Sequence, residues 1–265
     1  MKRSKQLTLS RPDIADRQQF ILSLVQERGF ASITRVAASL KVSAQTVRRD
    51  MSTLAELGLV TKIHGGAGLP SQPSDLGYES RRGRLLDEKK RIARELAQRI
   101  PDGATLFIDI GTTMEAVAEA LLDHRKLTVI TNHLTVATTL SQRSEFQVIL
   151  AGGLLRHNDR ATTGEATREF LERFRVGYGI FGIGGVSPEG DLLDFDFRDI
   201  GVSTTAMKIS RHKFIALDHS KFDTTAMVRI GTLAEVDAIF TDEPPPEKLR
   251  ALIENLDVEL VVCRK

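Results

Sequence analysis

The chain has no tryptophan, two tyrosines and a single cysteine in 265 residues. That cysteine, Cys263, can form neither an internal disulfide nor a thiolate metal cluster, which fits a reducing compartment such as the cytoplasm. No stretch approaches the ~20 consecutive apolar residues of a membrane span. The basic start (Lys2, Arg3, Lys5) is followed by no apolar run of the secretory kind. A Walker A motif and a Gly-x-Ser-x-Gly elbow are both missing. Gly182-Ile183-Gly184-Gly185 lacks the third spaced glycine of a dinucleotide fingerprint. The six histidines show no metal-ligand spacing. No cofactor, no metal and no catalytic set is expected.

What the chain has is an uneven distribution of charge. Residues 1–66 carry eleven Lys/Arg against five Asp/Glu, a formal charge of +6. The other 199 residues carry 26 against 30, or −4. A small basic head on a larger, mildly acidic body points to a polyanionic partner for the head.

Periodicity sharpens that reading. Phe20, Ile21, Leu24 and Val25 share one helical face, and Gly29 is placed to end the helix. Ile33, Val36, Ala37 and Leu40 make a short second helix, followed by a tight turn at Lys41-Val42. Ser43 is suited to cap a third helix over 44–57. On that helix Ala44, Val47, Met51 and Leu54 form one face, and Gln45, Arg48, Arg49 and Ser52 the opposite one. Arg can bond guanine in a bidentate way, Gln can bond adenine, and Thr can touch a thymine methyl. Helix, short turn, helix is therefore expected to place Ser43, Gln45, Thr46, Arg48 and Arg49 against double-stranded DNA. Asp50 lies off the reading face. Val60–His64 reads as a strand and Gly65-Gly66 as a turn, the start of a wing whose Lys62 and His64 would reach the DNA backbone. The alternative is that this pair merely begins a linker.

Residues 67–84, rich in Pro, Gly, Ser and charge, read as that linker between a head of 1–66 and a body of 85–265. In the body, apolar runs alternate with helical patterns. Strands are expected at 105–110, 128–131, 147–151, 179–183, 213–217, 236–241 and 259–262, with helices at 85–100, 114–122, 134–140 and 166–174. Such alternation gives a mostly parallel α/β sheet, whose ligands bind beyond the carboxyl ends of the strands. Those ends carry Asp109-Ile110-Gly111-Thr112-Thr113, Thr131-Asn132, Gly152-Gly153 with Arg156 close by, Gly184-Gly185, and Asp218-His219-Ser220-Lys221. Flexible glycine backbone, hydroxyls and two cations are the composition of a site for a phosphate joined to a polyol. The run Leu192–Asp199 is either an exposed edge or a lid over that site.

Two sets of motifs carry a resemblance. "VSAQTVRRDMSTLAELGLVTKIHGGA" resembles the N-terminal signature of the DeoR family of bacterial transcription regulators. "IDIGTT", "LAGG", "GEAT", "GIGG" and "LDHSKF" are similar to that family's sensor domain. The resemblance implies a winged helix-turn-helix joined to a domain related in fold to ribose-5-phosphate isomerase and coenzyme A transferases. It also implies a repressor that a phosphorylated sugar or polyol releases from its operator. "TLFIDIGTT", "LDHSKF" and "VDAIFTDEPPP" look most like members that answer to glycerol 3-phosphate. By the same resemblance Asp109, Gly111, Thr112, Thr113, Asn132, Gly153, Arg156, Glu165 and Lys221 contact the effector, and the strand-end reading adds Thr131, Gly152, Asp218 and Ser220. Family members usually have a Glu followed four residues later by a basic residue where this chain has Asp199 and Ser203. A homo-oligomer, dimer or tetramer, is expected because readers of this kind occupy two half-sites. The competing class is a sugar-phosphate isomerase or transferase in which Asp109 and Lys221 handle protons.

Overall fold

The computed structural model describes residues 14–28, 30–57, 59–63, 66–68, 78–157, 159–195, 200–222, 224, 226 and 228–264. It resolves into two compact units, divided between Leu76 and Gly77.

The first unit runs α1 (Ile14–Arg28), β1 (Phe30–Ser32), α2 (Ile33–Leu40), α3 (Ala44–Glu56), β2 (Thr61–Ile63) and β3 (Gly66–Gly68). Ile21, Val25, Val36, Val47, Met51, Leu54, Val60 and Ala67 form its core, so each helix contributes the stripe that its periodicity marks. Lys41 turns the chain between α2 and α3 in the left-handed region, with φ 51°. The Ser43 hydroxyl accepts the Thr46 amide at 3.1 Å and so caps α3, as expected. The three strands pair antiparallel in the order β1-β3-β2. Strand β1 is too short to leave a pattern in the sequence. Lys62 stands exposed on β2; His64 lies outside the described residues.

The stretch 67–84 differs from a plain linker at both ends. Its first residues complete β3, and Tyr78–Gly83 forms helix α4. The composition that suggests a linker is that of a short, arginine-rich helix whose order comes from what it packs on.

The second unit continues with α5 (Leu86–Ala97), β4 (Thr105–Ile108), α6 (Thr112–Ala120), β5 (Thr128–Thr131), α7 (Leu134–Leu140), β6 (Gln147–Leu150), β7 (Leu154–Arg156), β8 (Ala161–Thr163) and α8 (Glu165–Leu171). Then follow β9 (Val176–Phe181), β10 (Gly185–Val186), β11 (Asp191–Asp194), α9 (Ile200–Ile209), β12 (Ser210–Ala216), β13 (Val228–Thr232), β14 (Ala238–Thr241), α10 (Glu247–Asn255) and β15 (Glu259–Val262). Seven strands form one parallel sheet in the order β15-β14-β12-β9-β4-β5-β6. Leu106, Ile108, Val129 and Ile180 pack with α5, α6 and α7 on one face. Phe107, Ile130, Phe181 and Ile215 pack with α8, α9 and α10 on the other. Burial on both faces explains why the strands are near-continuous apolar runs rather than alternating ones. The chain starts at central β4, builds outward to β6, then returns to the other side of β4 with β9. That reversal between β4 and β9 is the topological switch point, where the strand ends open a crevice. Two small sheets lie outside the main one: the β7-β8 hairpin, and β10-β11-β13. Strand β11 of the latter takes in Leu192, Leu193 and Asp194, the start of the run read as an edge or a lid. Residues 196–199 lie outside the described residues.

Candidate functional site

The candidate nucleic-acid face is the outer side of α3. Gln45, Arg48 and Arg49 are exposed there, and Thr46 is half-exposed. Among the described residues neither arginine is in an ion pair. The acid that follows them is handled differently. Asp50 is buried, and Arg17 of α1 grips it from inside, Nε to Oδ2 at 2.7 Å and Nη2 to Oδ1 at 3.1 Å. The negative charge is thus neutralised within the unit, and of the charged run 48–50 only the two arginines face outward. The helical wheel places Asp50 off the reading face; the partner on α1 is visible only in three dimensions.

In the second unit the parallel strands bring their carboxyl ends to one edge of the sheet. The Asp109 amide donates to Ile180 O at 2.9 Å, tying the end of β4 to β9 at the switch point, and Asp109 itself is buried. Gly111 follows with φ 120°, a conformation that favours glycine, and Thr112 and Thr113 open α6. After β5, the Thr131 hydroxyl accepts the His133 amide at 3.0 Å. Asn132 Nδ2 donates to Thr162 O at 3.1 Å, and the Thr162 amide donates to Asn132 O at 2.7 Å, which fastens the β7-β8 hairpin to the end of β5. Asn132 Oδ1 is buried with no hydrogen-bond partner among the described residues. After β6, Gly152 O accepts the Thr167 hydroxyl at 2.8 Å. A Cβ on Gly153 would fall 2.0 Å from Thr167 Oγ1 and 2.9 Å from Thr163 O, so only glycine fits.

The charged residues divide unevenly. Arg156 and Asp159 form a forked pair inside the hairpin, with Nε to Oδ1 at 3.2 Å. Glu165 is exposed at the start of α8 and pairs with Arg168, whose hydrogen bond holds its carboxyl below the usual range. Asp218 is buried after β12 and accepts the Ser220 amide at 3.1 Å as well as the Ser220 hydroxyl, capping the turn that presents Lys221. Burial pushes the Lys221 amine down; Asp218 and Asp194 oppose that, while Arg81 and Arg84 add to it. Lys89 is pushed down to about 8, first by burial, with Lys221, Arg81 and Arg84 adding to it. Its ammonium donates to Arg84 O at 2.7 Å and to Arg81 O, closing the turn between α4 and α5. Arg81 feels Asp159, Asp194 and Arg156, and its Nε is buried with no hydrogen-bond partner among the described residues. Five cations (Arg81, Arg84, Lys89, Arg156, Lys221) thus share one region with Asp159, Asp194 and Asp218. Desolvation and mutual repulsion both depress the amines there, and a dianion would offset the repulsion and stabilise their charged forms.

One histidine group also gathers acids. His219 Nδ1, Asp242 and Glu243 bring ligand-type atoms within 4.8 Å of one another. Both Asp242 oxygens already serve His219: Oδ1 accepts its amide and Oδ2 meets its ring nitrogen, each at 2.7 Å.

Two family models match this chain. One, the DeoR-like helix-turn-helix domain, covers residues 17–73; the other, the DeoR C terminal sensor domain, covers residues 85–243. The chain belongs to the DeoR family. A glycerol-3-phosphate regulon repressor of Escherichia coli (strain K12) is 44% identical to it over 247 residues, 93% of this chain and 98% of the relative. A lactose phosphotransferase system repressor of Staphylococcus aureus (strain N315) is 34% identical over 249 residues, 91% and 98% of the two chains. Among solved structures, a ribose-5-phosphate isomerase in complex with phospho-erythronic acid aligns over 51% of this chain and 53% of its own, at 11% identity and a TM-score of 0.39. A 4-hydroxybutyrate CoA-transferase from Porphyromonas gingivalis aligns over 65% and 52%, at 16% identity and a TM-score of 0.42.

In this DeoR-family chain, Arg81, Arg84 and Lys89 are candidate site residues that the strand-end reading misses. A signal for one of them exists in the sequence. The apolar stripe of α5 runs Ile92, Ala93 and Leu96, and one turn earlier on that face stands Lys89, buried to 4% exposure. A lysine on the buried face of a helix requires partners. Of the two positions where this DeoR-family chain departs from its relatives' usual pattern, Ser203 is buried in α9 and Asp199 lies outside the described residues.

Proposed function

We propose that this protein is a cytoplasmic DNA-binding repressor whose body senses a phosphorylated sugar or polyol, glycerol 3-phosphate before others. On this reading Gln45, Thr46, Arg48 and Arg49 read base edges, and Ser43, Lys62 and His64 support them at the backbone. Two copies occupy two half-sites of an operator. The effector's phosphate sits among Lys221, Arg81 and Arg84. Asp109, Asn132 and Asp218 face its hydroxyls, and the N–H groups and hydroxyls of Thr112 and Thr113 complete the grip.

The observation that carries the reading is the surplus of cations around Lys221 at the strand ends, Lys89 buried and Arg81, Arg156 and Lys221 partly so, in a chain whose other unit carries an exposed pair of arginines on a capped helix. A ligand can shift the DNA-bound state only through its differential affinity for the two states. The usual coupling of ~1–3 kcal/mol predicts that operator affinity falls about 5- to 150-fold at saturation.

The test is fluorescence anisotropy on DNA from upstream of the chain's own coding region, with glycerol 3-phosphate, other sugar phosphates and unphosphorylated glycerol. Release by a phosphorylated compound and none by glycerol is expected. Release by another sugar phosphate alone would replace the effector and leave the repressor in place. Turnover of glycerol 3-phosphate or ribose 5-phosphate by the purified protein would favour the enzyme reading instead.

A further inference from the structure

Helix α4 is held from two sides by consecutive residues. Arg81 faces Asp159, Asp194 and the Lys221 region. Arg82 turns the other way and pairs with Glu115 of α6, Nε to Oε2 at 3.0 Å. The Glu115 side chain is 8% exposed. Around it stand Tyr78 of α4, Glu119 of α6, His133 and Thr135 at the start of α7, and Arg160 of the hairpin. Tyr78 packs edge-on to the His133 ring at 6.1 Å, and its hydroxyl lies 3.4 Å from Thr135 Oγ1. The Arg160 guanidinium sits 5.6 Å from the centre of the Tyr78 ring. His133 is fully buried, and burial pushes it down to about 4, so its ring is neutral. Its Nε2 lies 2.9 Å from Asp159 O, an acceptor, so Nε2 carries the proton. Nδ1 is then a bare acceptor, and both it and Glu115 Oε1 lack a hydrogen-bond partner among the described residues. Neutral His133 supplies no charge to Glu115, which leaves Arg82 as its ion-pair partner and Arg160 as a further cation in its surroundings.

Helix α4 also begins just past the division between the two units. It is the first described element of the second unit, next in sequence to the stretch that connects the two. Beside the Tyr78 contacts and the Lys89 bond to Arg81 O, the Arg82–Glu115 pair ties this six-residue helix to α6.

We propose that Glu115 is a positioning residue that pegs α4 through Arg82, so that effector contact at Arg81 is passed to the DNA-reading unit rather than dissipated. The proposal rests on the effector reading above. Glu115 itself touches neither effector nor DNA.

The experiment uses the full chain as wild type, Glu115→Gln, Glu115→Asp and Arg82→Gln, with thermal melts to confirm folding. Glu115→Gln keeps the shape and the neutral form that burial favours. Titration calorimetry with glycerol 3-phosphate should give affinities within threefold of wild type for every variant. Operator affinity without effector should also stay within threefold. The weakening of operator binding at saturating effector should drop from the 5- to 150-fold range to under twofold in Glu115→Gln and Arg82→Gln, with partial recovery in Glu115→Asp. Burial raises the Glu115 carboxyl from its ordinary value to about 7, so the ionised pair gains population as pH rises through neutrality. Wild-type coupling should therefore grow from pH 6 to 8, while Glu115→Gln stays flat, a difference that a merely structural role would not produce. Tryptic cleavage after Arg82 should be faster in Glu115→Gln than in wild type. Wild-type coupling and pH profile in a folded Glu115→Gln would overturn the proposal. Absence of glycerol 3-phosphate binding to wild type would sink the effector reading alone; equal tryptic cleavage in wild type and Glu115→Gln would then still overturn the peg.

Discussion

Single side chains set the two ends of this protein's behaviour. At the DNA end, Arg48→Ala or Arg49→Ala should weaken specific operator binding by roughly 1–3 kcal/mol if the residue reads a base. The unit's fold should survive, because both side chains are exposed on α3. Anisotropy on operator and scrambled DNA checks this, and unchanged specific affinity in both variants would remove α3 as the reader. At the effector end, Lys221→Ala should bind operator as well as wild type does and fail to release it with glycerol 3-phosphate. Release at the wild-type concentration would exclude Lys221 as the phosphate ligand. The asymmetry in how these residues could be read is itself physical. Arg48 and Arg49 follow from a helical wheel, since three core residues on one side leave only one outward face. Asp218, Ser220 and Lys221 follow from standing after an apolar strand. Arg81 and Arg84 do not, because nothing local distinguishes an arginine in a solvated linker from one packed against a distant strand end; Lys89 is betrayed only by its place on the apolar stripe of α5.

Elements show the same division. The segments 128–131, 134–140 and 259–262 were legible to the residue, being apolar runs bounded by turn residues, and they form β5, α7 and β15 with those limits. Helix α9 was not legible: Ile200-Gly201-Val202-Ser203-Thr204-Thr205 offers weak helix formers, and packing of Val202, Ala206 and Met207 under the sheet stabilises it. The strands of the two small sheets have two to five residues, too few for a period to show. Two element-scale outcomes are testable. Arg17→Ala removes the partner that α1 lends to α3 and leaves Asp50 buried as an unpaired charge. It should destabilise the first unit by about 3–5 kcal/mol, and Asp50→Asn in the same chain should restore part of that loss. A circular-dichroism melt reads the effect; a melt unchanged by Arg17→Ala would show that the pair contributes nothing. On the wing, Lys62→Ala should weaken binding to every sequence alike and lower the slope of log affinity against log salt by about one unit. A loss confined to the operator would mean that Lys62 reads bases instead.

For the whole molecule, the decisive feature is the division of labour by charge. Residues 1–66 carry +6 and the other 199 carry −4, so attraction to nucleic acid is concentrated in residues 1–66. On the proposed reading, the second unit meets its small dianion at the cations around Lys221. The two tasks thereby avoid competing for the same polyanion. The internal capture of Asp50 by Arg17 extends this separation to inheritance. Because the one acid beside the arginine pair is held by a residue on another helix, positions 45, 46, 48 and 49 carry little of the unit's own stability. Those four positions form a cassette: a lineage, or an engineer, can rewrite the address this protein recognises without rebuilding the body that decides when to leave it.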